Sequence, residues 1–94
     1  MGSLAQIQIE AIQRLARDHG VADVRVFGSM ARGTATESSD LDLLVRFEKT
    51  ATLIEVIGFK QAVEEKLGIR VDVVEEGGLS RHLAQKILDE AILL

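Results

Sequence analysis

Two carboxylates separated by one apolar residue, Asp40-Leu41-Asp42, open a stretch that reads Asp-Leu-Asp-Leu-Leu-Val-Arg-Phe over 40–47. Its alternation predicts a strand with one buried face. Successive side chains of a strand point to opposite faces, so Asp40 and Asp42 share a face with Cα atoms about 6–7 Å apart. Carboxylates aimed at one place repel, and each becomes harder to ionise unless positive charge lies between them. A divalent cation meets that need, and an all-oxygen donor set suits Mg2+ or Mn2+ rather than zinc. Asp72, isolated between Val71 and Val73, is a third carboxylate that a neighbouring strand could present to the same place. An ionised Asp inside such a Val-rich run needs a metal, a partner or water.

Ahead of the paired carboxylates lies Gly28-Ser29-Met30-Ala31-Arg32-Gly33. Gly28 allows a close backbone turn, and Ser29 can begin a short helix whose free N–H groups face an anion. This combination predicts phosphate-binding donors on one side and metal ligands on the other. Simpler readings stand beside it. Asp40 and Asp42 could be the solvated face of an edge strand, and Asp72 could pair with Arg70 or Arg46. Arg32 could contact phosphate or close the loop against Glu37, while Ser39 could cap the loop or orient Asp40.

The elements that must carry these residues follow from periodicity and caps. Ser3 with Gln6 predicts a capping box for a first helix over about 4–19, with Leu4, Ile7, Ala11, Ile12, Leu15 and Ala16 on its apolar face. A strand follows at about 23–27, then a helical turn and loop, then the strand at 40–47. Thr52 with Glu55 caps a helix whose buried stripe is Leu53, Val56, Phe59, Val63 and Leu67, ended by Gly68. Ile69, Val71, Val73 and Val74 predict a third strand. Leu79, Leu83, Ala84, Ile87, Leu88, Ala91 and Ile92 line one face of a last helix, and its tail, Ala91-Ile92-Leu93-Leu94, is apolar on every side. That tail either tucks under the sheet or meets another chain. The crossover between the second and third strands is long enough for a parallel or an antiparallel return. The expected architecture is a small α+β (α/β) domain over 1–94, a mixed three-stranded sheet with helices mainly on one face.

Composition removes whole classes of function. The 94 residues include no Cys, so disulfide, zinc-finger and thiol chemistry are out, and the His count of 2 is too low for a histidine-rich metal site. His19, at a helix end, and His82, beside Arg81, read as structural or surface residues. A net charge of −4 and an aromatic set of 3 Phe with no Trp or Tyr disfavour DNA or RNA binding. No apolar run approaches the ~20 residues of a membrane span, so a cytoplasmic protein is expected.

Gly28-Ser29, ten intervening residues, then Asp40-x-Asp42 resembles the signature of the polymerase-beta-like nucleotidyltransferases. The extended Gly-Ser-x-Ala-Arg-Gly, the Ser-Asp-x-Asp-Leu and the later Leu-Gly-Ile-Arg-Val-Asp-Val-Val look like their minimal, free-standing branch. The resemblance spans essentially the whole chain, departing at Met30, where a larger polar or aromatic residue is frequent. It implies the polymerase-beta-like fold and nucleotidyl transfer from ATP. Asp40, Asp42 and Asp72 would be the catalytic, metal-holding carboxylates for two Mg2+ ions, and Gly28, Ser29, Arg32 and Ser39 the nucleotide-binding residues. Minimal members commonly pair with a small helical HEPN-type toxin, which they inactivate as antitoxins by moving AMP onto tyrosine. With no Tyr in this chain, such an acceptor has to lie on a partner. The alternatives are a catalytically silent module that covers its partner and an enzyme acting on a small molecule. A homo-oligomer is compatible with all three.

Overall fold

The computed structural model describes residues 4–36 and 38–94. The first helix, α1 (Gln6–Asp18), starts later than its apolar pattern does. The Gln8 side chain reaches back to accept the Ala5 N–H at 2.8 Å, so a glutamine closes this helix start. The Ser3 half of the expected capping box lies outside the described residues. After α1 come β1 (Val21–Phe27), the short α2 (Gly28–Arg32) and β2 (Leu41–Phe47). A long helix α3 (Leu53–Leu67) leads to β3 (Val71–Glu75), and a 3-10 turn at Glu76–Gly78 leads to α4 (Arg81–Glu90). A terminal β4 (Ile92–Leu93) ends the chain.

The start and stop signals of α3 act as their residue types require. Thr52 Oγ1 accepts the Glu55 N–H at 3.2 Å and Glu55 returns to the Thr52 N–H at 3.3 Å. Gly68 ends the helix in the left-handed region at φ +69°, which a side chain resists. This helix is the crossover that turns the chain back, so that β3 lies parallel to β2. β1 is antiparallel to β2 on the other side, and the strand order is β3-β2-β1-β4.

The sheet therefore has four strands, one more than the periodicity predicts. The apolar tail leaves α4 at Ala91, whose ψ of 146° is extended. Ile92 and Leu93 then pair with Val26 and Arg25 of β1, and the Leu94 N–H reaches the Val24 carbonyl at 3.0 Å. The tail does not continue the helix; it satisfies backbone groups along the open edge of β1, with Ile92 and Leu93 exposed and Leu94 packed against the core. Ala91 and Ile92 thus leave the helical face to which their spacing assigns them.

The core lies between α1 and α3 and one face of the sheet. Ile12 and Ala16 from α1 and Phe59 and Val63 from α3 meet Val24, Val26, Leu41, Leu43, Val45 and Val71. Phe59 and Val63 are fully buried, and each such side chain contributes roughly 1.5–3 kcal/mol. His19 packs edge-on against Phe59 with ring centroids 5.8 Å apart, and its Nδ1 lies 2.9 Å from the Leu15 carbonyl, a structural role. Among the described residues, no helix is long and apolar enough to cross a membrane.

Candidate functional site

The site grows from the C-terminal end of β1 and the N-terminal ends of β2 and β3. Phe27, the last residue of β1, stands opposite Asp42 on β2. The chain must leave the strand there, and Gly28 makes the turn at φ +71°. Gly28 is buried, and a Cβ added to it would overlap the Asp42 carboxylate, with Asp42 Cγ only 3.1 Å away. Glycine is thus required for its backbone hand and for its lack of a side chain. The two halves of the motif, ten residues of sequence apart, touch.

Ser29 lies inside α2, whose N-cap is Phe27, so the serine does not cap the helix as its position in the sequence suggests. Its carbonyl accepts the Thr34 N–H at 3.0 Å and helps close the loop. Met30, the point of departure from the usual motif, packs against the core. Ser39 also serves the loop: its Oγ accepts the Thr36 N–H at 2.9 Å rather than orienting Asp40.

The parallel register sets the acids side by side. Asp42 and Asp72 are direct partners on β2 and β3, so their side chains leave the same face. β2 is an interior strand with neighbours on both sides, which removes the edge-strand reading of its carboxylates. Asp40 precedes β2 and is level with Arg70, whose Nε binds Asp40 Oδ1 at 3.1 Å. Arg46 is taken by Asp23 at the far end of the strand, with Nε to Oδ2 at 2.8 Å. Neither arginine considered as a partner for Asp72 therefore pairs with it.

Asp42 bears the electrostatic load of this arrangement. Burial pushes its carboxyl above the ordinary carboxylate value, and the neighbouring charges of Asp72, Asp40 and Glu90 push the same way, while Arg32 opposes them. A half-buried carboxylate aligned with a second one has only Arg32, itself paired with Glu90, for positive charge, and all the donors are oxygens. That donor set fits a hard divalent cation. Among the described residues, no three acidic or histidine side chains yet converge closely enough to enclose an ion. The Asp40–Arg70 pair is one physical reason, since it engages the third carboxylate.

One residue of the site has no signal in the sequence. Glu90, the last residue of α4, accepts the Gly28 N–H at 3.1 Å through Oε1 and binds Arg32 Nη1 through both oxygens at 3.2 and 3.3 Å. Arg32 is therefore paired with Glu90; the expectation that it closes against Glu37 falls on a residue outside the described ones. Asp89-Glu90 reads as a solvated helix end in sequence, and only the folded chain brings it to Gly28.

Comparison with known proteins bears on the family and the fold. The family model described as a nucleotidyltransferase domain matches residues 8–94. The protein adenylyltransferase MntA of Thermococcus cleftensis is 35% identical, with 95% of this chain and 98% of the relative covered. A solved structure described as a candidate minimal nucleotidyltransferase is 50% identical, with a TM-score of 0.85 over 95% of this chain and 91% of that one. A crystal structure of a toxin–antitoxin with AMP-PNP is 26% identical, with a TM-score of 0.81 over 96% of this chain and 72% of that chain. A tri-AMPylated HEPN toxin of Shewanella oneidensis in complex with an MNT antitoxin shares the fold alone, at 23% identity and a TM-score of 0.75 over 99% of this chain and 71% of that chain. With a glycine turn packed on a strand carboxylate and a second carboxylate aligned beside it, this chain belongs to the nucleotidyltransferase family, in its minimal branch.

Proposed function

We propose that this nucleotidyltransferase moves AMP from ATP, with Mg2+, onto a tyrosine hydroxyl of a HEPN-type helical partner and so acts as its antitoxin. The observation that carries the reading is the direct contact of the Gly28 turn with Asp42, itself in register with Asp72. In this reading it would set donors for a polyphosphate against the carboxylates that would hold its counter-ion. The name of the Thermococcus relative and the AMP-PNP complex of a related toxin–antitoxin support the choice of adenylyl transfer and of a protein partner.

In this reading Gly28 and Ser29 hold the β- and γ-phosphates, and Arg32 adds positive charge beside them. Asp42 and Asp72 would be metal ligands, joined by Asp40 once it is released from Arg70. Bound Mg2+ would neutralise the charge that builds on the phosphoryl oxygens during transfer. Asp72, the more exposed of the aligned acids, accepts the proton of the incoming hydroxyl. The hydroxyl oxygen forms a bond to the α-phosphorus, the bond to the bridging oxygen breaks, and pyrophosphate leaves on the opposite side.

The chain contains no Tyr, so a tyrosine acceptor has to come from another chain. Mixing the protein with the product of its neighbouring gene, Mg2+ and ATP labelled in the α-phosphate tests the reading. The expected result is a mass gain of one or more AMP groups on the neighbour. Complex formation with no gain in mass would instead identify a silent binding module, and transfer to an aminoglycoside would identify a small-molecule enzyme.

A further inference from the structure

We propose that Glu90 belongs to the nucleotide site, as the residue that holds the donors of the Gly28 turn in the free protein, yields them to the incoming phosphates and so sets nucleotide affinity. The inference rests on the reading of Gly28 and Arg32 as the phosphate-facing side of the site.

The contact has the chemistry of a bound phosphate. Glu90 Oε1 accepts a backbone N–H from Gly28 at 3.1 Å and a guanidinium N–H from Arg32 at 3.2 Å, and Oε2 accepts from the same guanidinium nitrogen at 3.3 Å. Anionic oxygens shared between a backbone amide and an arginine are what a phosphoryl group presents. The Gly28 N–H points one way, so carboxylate and phosphate compete for it. Both are negative, and Glu90 also adds to the charge that already burdens Asp42.

Glu90 is not at its position for the sake of its own helix. A carboxylate at a helix C-terminus opposes the helix dipole, and the last turn of α4 contains no basic residue to offset it. Among the described residues, its hydrogen-bond partners lie across the molecule, on α2. The hold is also weak enough to exchange. The side chains of Arg32 and Glu90 are 54% and 37% exposed, the range in which ion pairs are weak, and α4 buries no residue fully. Swinging the Glu90 side chain away from Arg32 needs no movement of the core.

Titration of the full chain with AMP-PNP and Mg2+ tests the inference, using the wild type, Glu90→Gln, Glu90→Ala and Arg32→Ala. Glu90→Gln keeps the shape and removes the charge at a surface position, so the fold is retained, which a melting curve checks. Both Glu90 variants are expected to bind the nucleotide about three- to tenfold more tightly than wild type, and Arg32→Ala more weakly. Loss of a merely structural contact would not tighten binding. Equal or weaker binding by both Glu90 variants, with the wild type binding, would overturn the role of Glu90 and leave the nucleotide reading standing. Absence of binding by the wild type and every variant would overturn both.

Discussion

The two faces of the sheet are made from the same strands and held by opposite means. On one face Leu41, Leu43 and Val45 of β2 meet α1 and α3 and are almost completely buried. On the other, one residue out of step, Asp42 aligns with Asp72, and Arg46 pairs with Asp23 at the far end. Between those ends Leu44 is only 2% exposed, flanked by Arg25 and Val74, so the second face is not simply a wet surface. The first face gains free energy from every residue it buries. The second spends some of that gain in crowding carboxylates whose charges oppose one another. A single strand with a period of two supports both, because each substitution on one face leaves the other largely untouched.

Breaking the apolar face gives the largest loss. Phe59→Ala empties a fully buried site beneath the sheet and is expected to destabilise the fold by about 3–5 kcal/mol in a denaturant titration. Gly28→Ala strikes the junction between the faces, since its Cβ demands the space of the Asp42 carboxylate and resists φ +71°. A loss of roughly 1–3 kcal/mol, accompanied by loss of nucleotide binding, is expected there.

The charged face gives a smaller change of the opposite sign. Asp42 holds a proton more tightly when folded than when unfolded, because burial and then Asp72 and Asp40 oppose its charge. In the window between the unfolded value near 3.8 and the raised folded value, the native state binds more protons, so stability falls as pH rises through it. The penalty is complete above the raised value and relieved below the unfolded one. Asp42→Asn should therefore raise the melting temperature modestly at neutral pH and flatten that part of the pH dependence. Stability measured for both proteins from below 3.8 up to neutral pH checks the sign.

The smallest effect belongs to the exposed pair of Arg70 with Asp40, whose side chains are 77% and 48% exposed. Arg70→Ala is expected to change stability by less than about 0.5 kcal/mol, within the range of exposed ion pairs. A loss of several kcal/mol in an equilibrium unfolding curve would mean that the charged face is structural after all.

Much of this contrast was readable before folding. The alternation of Asp40 to Phe47 announces both faces of β2, and Thr52, Glu55 and Gly68 announce the ends of α3. The spacing of the glycine turn and the paired carboxylates carries a family resemblance that predicts one site; the folded chain brings Gly28 against Asp42 and leaves Asp40 with Arg70. Other features depend on distance through space. Helical spacing cannot reveal that Ile92 and Leu93 change to a strand, since the attraction is the free edge of β1. Arg70 meets Asp40 rather than Asp72 because the parallel register levels Leu41 with Val71, and a crossover of that length permits either direction of return. Glu90 lies 62 residues from the glycine whose N–H it takes, with nothing local to mark it.

The central claim is that the acidic face is a transfer site built on an independent apolar core. Its most direct test compares wild type and Asp42→Asn in moving label from α-labelled ATP to the proposed helical partner in the presence of Mg2+. The account predicts that the variant melts at or above the wild-type temperature while its transfer rate falls by on the order of 10³ or more. A folded Asp42→Asn protein that transfers at the wild-type rate would contradict it.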